Sequence, residues 1–328
     1  MADVVDRTFP TPVSRAGGPA TRRRSVAQRQ AAAQRLLFEA AEETYDGDLD
    51  VNWEAEPVAG AHWMPPHLTS LYGTRTWRKM SPQQRLDLER DEFCNILAMA
   101  MYLNTAASML TFRGVMEHRE LVDDRSRFLL SVVNDRSRNV TMFSRLINRA
   151  GVTPHLPRRF GERLATYTLS LPNGSLVAVF SLLADEIVNS LAGEIARSDV
   201  EIQPHVSHLF ALGAPTRARH IEFGRAELED SIVASSRTGS AVQWLASAVL
   251  VTAVGRLLTN REIYRDVGLG PRRALRAARR TGQYQRRIQS LVGPMVIDAI
   301  RVGGFAGAGS RRILKRGRCL PDSVAEIR

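Results

Sequence analysis

The stretch from Leu209 to Leu228, LFALGAPTRARHIEFGRAEL, carries the grouping of side chains whose types and spacing raise a question of chemistry. Offsets of four and three place Gly213, Arg217 and His220 in a line along one side of a helix. Histidine, glutamate and histidine at those offsets would make a metal-binding face. Only the last histidine is present, and a glycine and an arginine stand at the other positions. Around them Arg219, Arg225 and Glu227 alternate with Ala218, Ile221, Phe223, Ala226 and Leu228, which predicts an amphipathic helix packed among others.

The elements that would position this face are long helices. Ser81-Pro82-Gln83-Gln84 supplies an N-cap serine, a proline at the first helical position and a capping-box glutamine, so a helix starts there and runs to about His118. Its broad apolar surface, Ile96, Leu97, Met99, Ala100, Leu103, Ala107 and Leu110, makes it central. A second helix spans about Asp123 to Ala150 and stops at Gly151. A third spans about Arg158 to Arg197, interrupted at Pro172-Asn173-Gly174, and the 209–228 stretch is the fourth. Four long helices with short links predict a four-helix bundle. A preceding helix at Ser25–Glu43 and further ones at about Ser240–Leu258, Pro271–Arg280 and Gln283–Val302 complete one domain, 26–310. Residues 1–25 read as a disordered basic tail, Gly303–Gly309 as a loose link, and 311–328 as a basic C-terminal tail. The irregular segment from Asp46 to Tyr72, with Trp53 and Trp63, is expected to wrap the core and pin itself by its aromatics.

Composition narrows the function classes. The formal charge is +11, yet lysine occurs only at Lys79 and Lys315, so the basicity is arginine spread along helices. No helix-turn-helix or aromatic stacking pattern accompanies it, and nucleic-acid binding is not expected. Cys94 and Cys319 build neither a disulfide framework nor a zinc site, and Cys94 reads as a small core residue. Ala241–Leu258 is the most apolar run but is interrupted by Gln243, Ser247 and Arg256, so a buried bundle helix is expected and no membrane span. The N-terminus lacks an apolar signal region, which points to a cytoplasmic, reducing compartment. No phosphate loop or nucleophile elbow occurs; Gly268-Leu269-Gly270-Pro271 is a helix stop followed by a proline start.

Four ordered stretches now carry a resemblance: SLYGTRTWRKMSPQQRLDLERDEF (70–93), DRSRNVTMFSRLI (135–147), RARHIEFGRAEL (217–228) and NREIYRDVGLGPRRALRAAR (260–279). The chain resembles the p-aminobenzoate N-oxygenase family, ferritin-like di-iron oxygenases of secondary metabolism, over roughly residues 51–321. The resemblance implies an all-α, ferritin-like four-helix bundle with additional C-terminal helices, and a homodimer. It also implies a di-iron centre built from a glutamate on the first long helix, Asp-Glu-x-x-His on the second, a glutamate on the third and His-x-x-x-Glu-x-x-His on the fourth. Two irons need bridging carboxylates to neutralise charge and imidazoles to tune it.

Carried over position by position, most of that set is replaced. The first-helix glutamate falls on Asn104. On the second helix the aspartate is kept as Asp135, the glutamate falls on Arg136 and the histidine on Asn139. On the third helix the carboxylate is Asp185 or Glu186. On the fourth the first histidine falls on Gly213, the glutamate on Arg217, and His220 remains. A guanidinium keeps its proton and offers a metal no lone pair. No metal is therefore expected, the residual ligand types being His220 and Glu186; iron is the alternative. Arg136 and Arg217 are expected either to pair with Asp185 or Glu186 or to bind a small aromatic acid in the old substrate cavity. Pro215 should start or kink the helix. His205 and His208 lie off the His220 face; His62, His67 and His155 fall in loops, and Glu117, His118 and Glu120 at a helix end. Two functions follow. One is an iron-free accessory or binding protein, working beside an active paralogue or a biosynthetic partner. The other is an oxidoreductase acting on an aryl amine or related metabolite with an altered or metal-independent site.

Overall fold

The computed structural model describes residues 23–43, 45–117, 123–157, 159–234 and 237–324. The expected N-terminal tail through residue 22, His118 and Glu120, and the last four residues lie outside the described residues. The helices in chain order are α1 (Val26–Glu42), α2 (Arg75–Lys79), α3 (Pro82–Met116), α4 (Asp124–Ala150), α5 (Phe160–Leu169), α6 (Ser175–Ala196), α7 (Pro204–Leu212), α8 (Ala214–Ala234), α9 (Arg237–Leu257), α10 (Ile263–Asp266), α11 (Pro271–Arg279), α12 (Gly282–Arg301) and α13 (Ala308–Gly317). No strand occurs among the described residues; one isolated bridge joins His62 to Ile202.

Local chemistry fixes the ends of these helices. Ser25 with Gln28 and Ser81 with Gln84 form capping boxes at the starts of α1 and α3. Asp123 caps α4 by accepting from the Ser126 amide at 2.7 Å, and Gly151 ends it in the left-handed region at φ 67°. The bundle is α3 against α4 and α6, with α6 also against α8. It is the all-α, ferritin-like arrangement. Helix α1 covers α4 and α8, while α9 and α12 pack on the far side of α6.

The wrapping segment before α3 is pinned by carboxylates of that helix. Trp53 and Trp63 are buried. Buried Glu89 accepts the amides of Trp63 at 2.7 Å and Met64 at 3.3 Å and holds His62 Nδ1 at 2.8 Å. One turn on, Glu92 accepts from the Ser70 amide at 2.9 Å and the Ser70 hydroxyl, and faces Arg287 of α12 at 3.0 Å. Ser70 reaches Tyr264 at 2.8 Å. Two of the four resemblance stretches thus meet in one buried network.

Two expectations change. The link and basic tail beyond 303 are in part α13, which packs on α9 and buries Leu314, with Cys319 buried just after it. Its apolar residues need cover that a free tail would not supply. Helices α3, α6 and residues 239–257 of α9 are each long and apolar enough to cross a membrane by length and composition. The first two bury that surface in the bundle. Helix α9 buries Trp244, Ala248 and Val251 but exposes Val242, Leu245 and Val249, so it is half-covered rather than interior.

The Glu92–Arg287 pair sets a stability prediction. Arg287→Met strands a buried carboxylate and should cost about 3–5 kcal/mol. Glu92→Gln on top of Arg287→Met should restore part of that loss. Urea unfolding of the single and double variants checks both.

Candidate functional site

Each position implied by the resemblance can now be placed. Asn104, in the middle of α3, turns its amide back on its own helix and donates to the Ala100 carbonyl at 2.8 Å. Arg136 and Asn139 lie three residues apart on α4, both buried. Asp185 and Glu186 are neighbours on α6, so about 100° of helix separates their directions. That rotation decides their partners. Asp185 faces α4 and α8. Glu186 points toward the side where α8 meets α12, bonded by Arg225 of α8 at 2.9 Å, and Arg225 also holds Asp298 of α12 at 2.6 Å.

The inner cluster is an ion-pair layer. Arg136 grips Asp185 with both arms, Nη2 at 2.6 Å and Nε at 3.3 Å, and donates Nη1 to the Thr111 hydroxyl at 3.2 Å. Both members of the pair are buried, at 3% and 5% exposure. His220 stands between two carboxylates. Its Nε2 is 3.1 Å from Asp135 Oδ2, and its Nδ1 is 3.7 Å from Asp185 Oδ1, too far for a hydrogen bond but close enough for charge attraction.

Burial alone would raise the Asp185 carboxyl, but Arg136 and His220 outweigh it and hold it at about 2. Burial disfavours a charged His220, yet its hydrogen bond to Asp135 and the attraction of Asp185 raise it above the ordinary imidazole value. The layer therefore sets the Arg136 guanidinium and the His220 imidazole against the Asp135 and Asp185 carboxyl groups.

Arg217 does not join it, contrary to the expectation that it would pair with Asp185 or Glu186. The helix starts afresh where Pro215 was expected to start or kink it: Gly213 caps the end of α7, and α8 begins at Ala214 with Pro215 in its first turn. Helical side chains lean toward the N-terminus. Arg217 accordingly runs back to α7, donates Nη2 to the Phe210 carbonyl and lies 5.7 Å over the Phe210 ring. Gly213 makes room for it, since a Cβ there would stand 2.3 Å from Arg217 Nη1.

Beside the layer lies a cavity of about 450 Å³. Arg136, Asp185 and His220 form one wall, and Leu110, Val132, Val177, Leu182 and Phe223 supply apolar surface. At its rim Arg125 pairs with Glu227 at 2.5 Å, and Arg24 pairs with the lining Asp230 at 2.9 Å. The half-buried Arg29 of α1 also lines it, and its Nε has no partner. Arg136 is at the cavity wall as expected of a ligand pocket; Arg217 is not.

The remaining histidines stay outside the cluster. His62, His67 and His155 hold Glu89, Glu194 and Asp266 at 2.8, 2.8 and 2.6 Å. His205 is buried edge-on to Trp63 with neither ring nitrogen bonded, and His208 is exposed. Sequence reading missed Thr111, Arg225 and Arg29. Thr111 lies seven residues after Asn104, two turns on along the same face, which was a usable signal. Arg29 precedes the resembling region, and nothing in its own spacing marks it.

The donor set does not fit a pair of irons. His220 turns opposite ring nitrogens to Asp135 and Asp185, so the three do not converge on one point, and Arg136 occupies the Asp185 oxygens. Among the described residues no group of three or more His, Cys, Asp or Glu side chains is arranged to hold a metal ion. A family model described as p-aminobenzoate N-oxygenase AurF matches residues 26–302, and the chain belongs to that family. No curated protein matches it.

The two shifts fix a pH response. The depressed Asp185 contributes stability above its unfolded value near 3.9, and that contribution is lost as pH falls toward about 2. It amounts to about 2–3 kcal/mol. The raised His220 contributes below about pH 6.5, and that part is lost as pH rises through its folded value. Asp185→Asn should be less stable than wild type at pH 6 and should lose less on going from about pH 4 to 2. Urea midpoints measured across that range check the difference.

Proposed function

We propose that this member of the p-aminobenzoate N-oxygenase family works without iron, as a binding or accessory protein of secondary metabolism rather than an oxygenase. The observation that carries the reading is the bidentate Arg136–Asp185 pair. Its guanidinium spends both carboxylate oxygens within the layer, and its positive charge stands where the family has a metal-binding carboxylate. A cation there opposes metal entry twice, by charge and by engaging a ligand. The resulting cluster is balanced without a metal.

The cavity beside the layer supports the binding part of the proposal. Its apolar walls suit the body of an aromatic acid, and Arg29, with an unbonded Nε, and Arg136 offer guanidinium groups to a carboxylate. Arg136 is already engaged with Asp185, so the Arg29 end is the better place for the acid group. We place the protein in the cytoplasm as a homodimer, supplying its ligand to an active paralogue or a biosynthetic partner, with no nucleic acid or membrane involved.

Two measurements test this. Protein purified after growth with ample iron should carry far less than two irons per chain. Elemental analysis near two, with the optical band of an oxo-bridged pair, overturns the iron-free reading. Calorimetric titration with a panel of aromatic acids should show binding by wild type, weakened about tenfold or more by Arg29→Ala, on the scale of one charge-assisted hydrogen bond. Binding by none of the acids, or binding indifferent to Arg29→Ala and Arg136→Ala, overturns the pocket.

A further inference from the structure

Among the described residues no carboxylate is bonded to Arg217, and the charge that attracts it through space, Asp185, is already gripped by Arg136. It is 3% exposed, and among the described residues its one hydrogen bond runs to a backbone carbonyl and its Nε has no partner. A buried guanidinium stays charged, and an uncompensated buried charge is costly. Burial does press this group down, to about 10, which still leaves it charged at neutral pH.

The carboxylates nearby are all engaged. Asp185 is held by Arg136, Asp135 by His220 and by Arg138 at 3.4 Å, and Glu43 by Arg219 at 2.7 Å. The first turn of α8, where Arg217 sits, has no acidic residue. Its helix N-terminus adds positive character, and the Phe210 carbonyl at the end of α7 returns only a fraction of a charge.

A second donor stands beside it without an acceptor. The Tyr45 hydroxyl is buried and has no acceptor among the described residues; its charged neighbours are Arg138, 5.1 Å over its ring, and Arg217. Burial raises the phenol above its ordinary value, so Tyr45 keeps its proton and supplies a donor rather than a negative charge. Both groups gather around the side chain that Gly213 lacks. From the position a Cβ would take, Arg217 Nη1 is 2.3 Å and Tyr45 Oη 3.6 Å away. Two donors so placed are within reach of one small ion about 3 Å from each. A water would satisfy the donors and leave the charge.

We propose that Arg217 and Tyr45, at the α7–α8 break, form a buried site for a small monovalent anion of chloride size. The anion supplies the negative charge that the glutamate-to-arginine exchange removed from this position. The site is separate from the cavity and stands whether or not an aromatic acid binds there.

The experiment uses the full chain, purified with methanesulfonate as the only anion. Chloride and bromide are then titrated at constant ionic strength while the melting temperature is followed. Wild type should gain thermal stability saturably with either halide. Tyr45→Phe should shift the half-saturation concentration upward by about tenfold. Arg217→Met, close in length and uncharged, should melt independently of halide. A bromide-soaked crystal should show an anomalous peak within bonding distance of Arg217 and Tyr45. No halide response in wild type, an equal response in Tyr45→Phe, or no bromide peak at Arg217 overturns the site. The last two outcomes decide the matter even where Arg217→Met fails to fold.

Discussion

The interior of this bundle rests on the pairing of buried carboxylates with cationic side chains. In a ferritin-like core several carboxylates face one another, and that arrangement holds together only with cations between them. Here the cations are side chains. Arg136 lies along Asp185 with two bonds, and His220 sits between Asp135 and Asp185 with its charge favoured by both. A buried pair is stable only when its remaining donors are satisfied. Thr111 takes the third arm of Arg136, completing the guanidinium's attachment to α3, α4 and α6. The pair therefore does mechanical work as well as electrostatic work: it ties three helices at one level.

The same device recurs through the core. Glu92 and Arg287 pair at 3.0 Å where α3 meets α12, and Arg225 joins Glu186 of α6 to Asp298 of α12. Arginine suits these places because its planar fork bonds two partners at once and remains charged under burial. The excess of arginine in the chain therefore has a structural side, although many other arginines are on the surface. With so many pairs already closed internally, the exceptions stand out. Arg29 at the cavity and Arg217 at the α7–α8 break each have an unbonded Nε, as Arg113, Arg149 and Arg287 do, and neither is paired with a carboxylate among the described residues.

Much of this was legible in the sequence, and the unread parts share a cause. Ser81-Pro82 and Gly151 marked helix ends because capping is local chemistry, and the structure puts them there. The inward positions Asn104, Arg136, Asn139 and His220 were reached by matching family stretches, and all four are buried. The choice between Asp185 and Glu186 was not legible: adjacent residues differ by a rotation, and only the neighbouring helices say which way each points. Asp185 meets α4 and α8, Glu186 meets Arg225. Arg217 was misassigned for a related reason. Pro215 marked the break beside Gly213, but not that the break turns the arginine back toward Phe210.

That break links the two exchanges on the fourth helix. With Pro215 in the first turn of α8, the chain changes direction at residue 213, and the space beside Gly213 is filled by the Arg217 guanidinium. A histidine at 213 would put its Cβ 2.3 Å from Arg217 Nη1, so the end of the arginine side chain would have to shift. Replacing Arg217 by glutamate alone would remove the cation but leave position 213 without an imidazole and α7 still ending there. Neither change recovers a ligand face by itself. Glycine at 213 leaves the space that the Arg217 guanidinium takes, so the two residues fit together at this turn.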